Sequence, residues 1–150
     1  MTTKIIAINR KAYHDYYIED TLETGIELVG SEVKSIRQGA VNLKDSFGLV
    51  RGGQVFIIGM HISTYDKGSH FNPEPKRDRR LLANKSEILK LKAKIEQKGY
   101  TLIPTKIYFK GSLVKIELGV ARGKQLHDKR RAIKEKEQKR EIERTLKEYK

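Results

Sequence analysis

The sequence predicts a mainly β fold, a small closed antiparallel barrel with two or three added helices, on three observations. Apolar and polar residues alternate in several short runs, glycine-containing turns punctuate those runs, and one long hairpin pattern closes the body near residue 120. A chain of 150 residues suits one domain that buries roughly two thirds of its unfolded surface without disulfides or metal.

In chain order, Ile26-Glu27-Leu28 alternates as a strand, and Ser31 to Arg37 is expected as a short helix stopped near Gly39. Gln54-Val55-Phe56-Ile57-Ile58 is a fuller apolar run. It is entered through Arg51-Gly52-Gly53-Gln54, whose glycines can take the positive φ that a tight hairpin turn needs. Tyr65 to Arg80, broken by Gly68, Asn72, Pro73 and Pro75, is expected as a long loop. Asn84-Lys85-Ser86-Glu87 offers a helix cap, Ile88, Leu91 and Ile95 form one apolar stripe, and Gly99 stops the helix. Thr101 to Phe109 and Leu113 to Val120, joined by Lys110-Gly111-Ser112, make the last hairpin. Leu113, Lys115, Glu117 and Gly119 alternate there with Ser112, Val114, Ile116 and Leu118.

Composition narrows the function. Cysteine is absent, which excludes a disulfide scaffold, a cysteine-built zinc finger and a cysteine nucleophile. No apolar run approaches the roughly 18 to 20 residues of a membrane span. Met1 to Ala7 lacks a long apolar core before a cleavage site, so a cytoplasmic location and no membrane partner are expected. The net charge is +13, of which residues 1–120 contribute +7 and residues 121–150 contribute +6. The last stretch has few apolar residues but good helix formers, with Glu135 before Lys139 and Glu143 before Lys147 at helical spacing. The expected organisation is a body, 1–120, and a basic tail, 121–150, that is disordered alone and helical on a partner. The alternative is a solvated helix docked on the body through Ile142, Leu146 and Tyr149.

Catalytic patterns are sparse. Glu32-Val33-Lys34 fits half of a metal-dependent nuclease site, with Asp15 or Asp20 as the second acid; the competing and favoured reading is a charged, exposed face of the short helix. Gly119-Val120-Ala121-Arg122-Gly123-Lys124 has too few residues between its glycines for a phosphate loop, and Gln125 stands where a Ser or Thr belongs. His14, His61, His70 and His127 never fall at helical metal-pair spacing. No enzyme activity and no cofactor are expected.

Nucleic-acid binding fits better. Basic residues cluster at Asn9-Arg10-Lys11, at Lys76-Arg77-Asp78-Arg79-Arg80 and at Arg122-Gly123-Lys124, beside turns from which side chains can reach a phosphate backbone. Tyr13, Tyr16, Tyr17, Tyr65 and Phe71 interleave with them as rings that could stack on unpaired bases, although each one alone is read as core.

Taken together, several runs resemble one family. They are Ile8-Asn9-Arg10-Lys11-Ala12 with His14-Asp15-Tyr16, Glu23-Thr24-Gly25-Ile26, Gly30-Ser31-Glu32-Val33-Lys34-Ser35 with Arg37 and Gly39, Asn42-Leu43-Lys44-Asp45-Ser46, Arg77 to Leu82, and Gly123-Lys124 with His127-Asp128-Lys129-Arg130. In this order they are similar to the SsrA-binding protein (small protein B) family of bacteria, across nearly the whole chain. Ala83, where a third apolar residue is often seen, and Glu74 between two prolines depart from the pattern.

The resemblance implies an OB-fold-like barrel that binds the tRNA-like domain of transfer-messenger RNA. It also implies delivery, with elongation factor Tu and the aminoacylated RNA, to stalled ribosomes for trans-translation. Asn9, Tyr16, Glu23, Lys34, Asn42, Leu82 and Lys124 would then lie on or beside the RNA face. Arg10, Lys11, His14, Arg37, Arg77, Arg79 and Arg80, from the basic clusters and matching runs, complete the expected RNA-binding set. Asp128, Lys129 and Arg130 would open a tail, continuing through Ile133, Lys134, Lys136, Lys139 and Arg140, that acts in the empty messenger channel near the small-subunit decoding site. The large subunit is a further implied contact.

Overall fold

The computed structural model describes residues 2–65, 72–97 and 99–124. Among them nine strands and three helices follow in the order β1 (Thr3–Ile8), α1 (Arg10–Asp15), β2 (Tyr16–Ile26), α2 (Gly30–Arg37), β3 (Val41–Asn42), β4 (Phe47–Arg51), β5 (Gln54–Ile58), β6 (His61–Ile62), β7 (Arg79–Leu82), α3 (Lys85–Ile95), β8 (Tyr100–Lys110) and β9 (Leu113–Gly123). The mainly β expectation holds.

Local chemistry explains the predicted elements. Gly52 and Gly53 take φ +58° and +74°, and Arg51 pairs with Gln54 to close the β4–β5 hairpin in the mirror-image turn that matches strand twist. Lys110 pairs with Leu113 across Gly111 (φ +63°), so β8 and β9 form the long last hairpin. The α3 cap includes Glu87 Oε1, which accepts from the Asn84 backbone N–H at 3.1 Å, and Ile88 and Leu91 are buried while Leu89 faces out.

All strand pairs are antiparallel. One edge of β8 runs along β9; its opposite side meets β4 at Leu102 and β1 over Lys106–Lys110. Following hydrogen-bonded neighbours from β8 through β4, β5, β7, β2 and β9 leads back to β8, with β1 attached outside that circuit. Ile36, Val55, Ile57, Leu81, Leu102, Ile107, Ile116 and Leu118 fill the core. β4 approaches β8 closely: a Cβ on Gly48 would lie 2.8 Å from the Leu102 Cβ.

Four points differ from expectation. Of the alternating run Ile26-Glu27-Leu28 only Ile26 lies in a strand, as the last residue of β2. Arg79 and Arg80, placed in the long loop by the sequence, open β7, because the loop's proline and glycine breakers all precede them. The short helix α1 and the strand β1 carry too weak a local pattern to be foreseen: α1 has six residues, and β1 leaves Ile5 and Ile8 exposed on an edge. β9 continues past Val120 to Gly123 because β2 pairs with it as far as Tyr16–Gly123.

Candidate nucleic-acid interface

Distant basic segments meet around α1. Ala12 packs with Ile103 and Ala121 beneath it, which seats the helix on β8 and β9. Asn9 caps it: Oδ1 accepts from Ala12 N–H at 3.2 Å, and Nδ2 donates to the carbonyls of Pro104 (3.0 Å) and Leu43 (3.3 Å). Asn9 is buried, which puts it beside the expected RNA face and not on its outer surface. Its amide is spent on three backbone partners, and it positions the basic turn instead.

Arg10 and Lys11 point outward from that turn. Lys11 Nζ donates to Asp45 Oδ1 at 3.0 Å, which raises the lysine pKa and lowers that of the aspartate. A cleft of about 270 Å³ places Arg10 and Lys11 opposite Asn42. Asn42 Oδ1 accepts from Lys44 N–H at 2.8 Å, and the residue remains exposed. Tyr16, half-buried, lines a second cleft of about 340 Å³ with Lys11, Asp45 and Phe47. His14 is exposed, its Nδ1 2.9 Å from Asp15 Oδ1. Lys124 reaches the same neighbourhood from the end of β9: its N–H donates to Asp15 O at 2.9 Å and its Nζ to Tyr13 O at 3.3 Å.

The second basic cluster behaves differently. Glu32, in the first turn of α2, is buried, and its Oε1 accepts from Val29 N–H. Arg77 donates to both carboxylate oxygens (2.6 and 3.2 Å), and Arg79 Nε donates to Oε2 at 2.6 Å. Arg79 also donates to the carbonyls of Met60, Pro75 and Arg77. Burial pushes the Glu32 carboxyl up, but Arg77, the Val29 N–H and Arg79 outweigh it, and the net pKa is below the ordinary value.

Two expectations change here. Arg79, fully buried, cannot present a cation to phosphate, and its expected RNA contact is corrected. Glu32 is neither the exposed helix face nor an open metal ligand, because both oxygens are held by arginines; among the described residues no cluster of metal-ligating side chains occurs. Arg77 is partly exposed but its guanidinium is committed to Glu32. Arg80 is half-buried and pairs with Glu27 at 3.0 Å. Lys34 is exposed, with Nζ 5.5 Å from the centre of the Tyr65 ring.

A third patch lies on β2 and β7. Glu23 Oε2 accepts from the Tyr108 hydroxyl at 2.6 Å and Oε1 from Lys110 at 3.3 Å; the tyrosine contact chiefly holds the carboxyl below its ordinary pKa. Leu82, half exposed, pairs with Gly25, two residues from Glu23 on the same face, and is not core. Arg37 stands apart, its guanidinium 5.7 Å from the Phe109 ring at a cleft shared with Lys4.

Tyr108 was missed, because a tyrosine in an apolar run carries no sign of a partner on another strand. Tyr13 and Tyr17, read singly as core, are 44% and 39% exposed. The expected tail residues Asp128, Lys129, Arg130, Ile133, Lys134, Lys136, Lys139 and Arg140, like Phe71, lie outside the described residues.

Comparison with known proteins bears on this surface. The family profile described as SmpB protein matches residues 6–148. A chain described as SsrA-binding protein from Caldicellulosiruptor saccharolyticus is 60% identical over 146 residues, covering 97% of this chain and 92% of its own. One of the same description from Caldanaerobacter subterraneus subsp. tengcongensis is 59% identical over 145 residues, with 97% and 92% covered. A solved structure described as "tmRNA-SmpB: a journey to the center of the bacterial ribosome" contains a chain 46% identical, superposing with a TM-score of 0.68 over 80% of this chain and 85% of that one.

Proposed function

The chain belongs to the SmpB protein family, and from that premise we propose that it binds the tRNA-like domain of transfer-messenger RNA and delivers it to stalled ribosomes for trans-translation. The observation that carries this reading is the convergence of Arg10, Lys11 and Lys124 around α1, beside the cleft that exposes Asn42. Cations gathered there from both ends of the body can follow a phosphate backbone, while Tyr16 and Asn42 supply groups for sugar or base edges. Glu23 and Leu82 extend the face: a carboxylate accepts from base amino groups and contributes selectivity, and an exposed leucine packs on an unstacked base. His14, Lys34, Arg37, Arg77 and Arg80 stand at its borders.

In this reading the strand circuit is an OB-like closed barrel and residues 1–120 are its RNA-binding body. Of the expected tail, 121–150, residues 121–123 belong to β9, and the part that follows Lys124 enters the empty messenger channel near the decoding site, becoming helical against ribosomal RNA phosphates. A channel filled by intact messenger excludes it, so stalled ribosomes are chosen sterically. The aminoacylated RNA arrives with elongation factor Tu, the large subunit supplies further contacts, and the work is cytoplasmic and non-enzymatic.

Sequencing the RNA that copurifies with the protein tests the reading. One dominant transfer-messenger species is expected. A mixture dominated by ribosomal RNA would sink it in favour of a general ribosome-associated basic protein.

A further inference from the structure

A ribbon of alternating cationic and aromatic groups crosses the sheet beside α1, and of its members only Lys124 is given a part in the proposed function above. Lys94 Nζ of α3 lies 4.8 Å from the centre of the Tyr100 ring, and the Tyr100 hydroxyl donates to Glu19 Oε2 at 2.8 Å. Glu19 Oε1 faces Arg122 Nε at 3.8 Å. The Arg122 guanidinium lies 5.5 Å from the centre of the Tyr17 ring, and Lys124 Nζ lies 5.1 Å from the same ring.

The strand register builds this array. Arg122 is the direct partner of Tyr17 on β2 and of Tyr100 on β8, so both rings flank it. Glu19, two residues along β2, holds Arg122 and Tyr100 together. Three cations face one carboxylate, which leaves the ribbon positive. The Arg122 side chain is 54% exposed, so a guanidinium seated on Tyr17 still has surface open to solvent.

Planar, cationic groups of this kind take nucleobases and phosphates: bases stack on aromatic rings and on guanidinium planes, and the cations track the backbone. A polyanion is the better fit than a protein partner, because the ribbon sets three cations, two of them lysines, against one carboxylate, and lysine is depleted in protein interfaces while it gains from phosphate neutralisation.

We propose that the ribbon from Lys94 through Arg122 to Lys124 seats a short single-stranded stretch of RNA, with one base stacked on the Tyr17–Arg122 pair and flanking phosphates against Lys94 and Lys124. The proposal rests on the RNA-binding reading above and adds to it a second subsite of different chemistry. It places single-stranded RNA at the root of the segment that follows residue 124.

The test is fluorescence anisotropy of the full-length protein with two probes, a short labelled oligouridylate and the isolated tRNA-like RNA. Arg122→Lys keeps the charge and loses the plane; it should weaken oligouridylate binding about five- to ten-fold with the salt dependence unchanged. Tyr17→Leu should weaken it to a similar degree, and Lys94→Gln, which removes a phosphate contact, should lower the salt slope by about one. Thermal melts verify folding, and Arg122→Lys, at an exposed side chain, keeps the test decisive if Tyr17→Leu unfolds. Wild-type affinity for oligouridylate in Arg122→Lys overturns the proposal. Failure of the wild-type protein to bind oligouridylate while it binds tRNA-like RNA overturns the ribbon and leaves the broader reading standing. Failure to bind either RNA removes both.

Discussion

Glu32 Oε2 lies 2.6 Å from Arg79 Nε, and the two side chains are 3% and 0% exposed. This pair ties α2 to the start of β7 and, through the Arg79 bonds to Met60 and Pro75, to the segments before and within the connecting loop. Two charges taken out of water hold only while each satisfies the other. Glu32→Gln removes the charge that balances Arg77 and Arg79, and is expected to cost about 3 to 5 kcal/mol at neutral pH. Urea unfolding of both proteins measures it.

The same pair sets a pH dependence. The folded pKa of Glu32 lies below its ordinary value of 4.5, so the unfolded chain binds its proton first as the solution is acidified. The stabilisation is fully present above that ordinary value and disappears as pH falls through the lower folded pKa. The gap between wild type and Glu32→Gln should therefore narrow only below about pH 4.5. A gap that is constant across the acid range would show that Glu32 titrates alike in the folded and unfolded chains.

Tyr108 holds Glu23 ready. Tyr108→Phe preserves the packing of a ring that is 9% exposed and deletes the hydroxyl that most lowers the Glu23 carboxyl. The Glu23 pKa should rise toward the ordinary carboxylate range, read by carbon-detected NMR titration. A Glu23 titration indifferent to this change would mean that the lysines Lys110 and Lys115 control it.

Close strand approach is tested at Gly48. An alanine there would push its Cβ against the Leu102 Cβ, neither of which can rotate away. Gly48→Ala should cost about 1 to 3 kcal/mol of stability. Tolerance without a shift in melting temperature would show that β4 can move off β8 freely.

Lys124 is expected to act as a phosphate contact. Lys124→Ala should weaken binding of tRNA-like RNA and reduce the slope of log affinity against log salt by about one. An unchanged slope places Lys124 off the RNA, its ammonium serving only the Tyr13 carbonyl and the Tyr17 ring.

How legible these features were depends on the range of their causes. The β4–β5 turn and α3 could be read because glycines at positive φ, a capping Glu87 and a buried Ile88–Leu91 stripe act over a few residues. α1 could not, since six residues make under two turns and its cap, Asn9, is held by the carbonyls of Leu43 and Pro104, far away in sequence. The basic clusters were visible as composition, yet their members divide in space: Arg79 is buried and Arg80, its neighbour, reaches Glu27.

Charge content, alternation, turn residues and family motifs are properties of the linear chain. They were enough to establish a β-rich body, its last hairpin and an anionic class of partner. Which cations meet a ligand is a different matter, because burial and pairing depend on groups supplied by other strands and helices. Glu32 withdraws Arg77 and Arg79 from the surface, and the β2–β9 register brings Lys124 to α1 and sets Arg122 on Tyr17. Only packing brings such partners within hydrogen-bond range, so only the folded structure separates the arginines that hold the protein together from those left open to solvent.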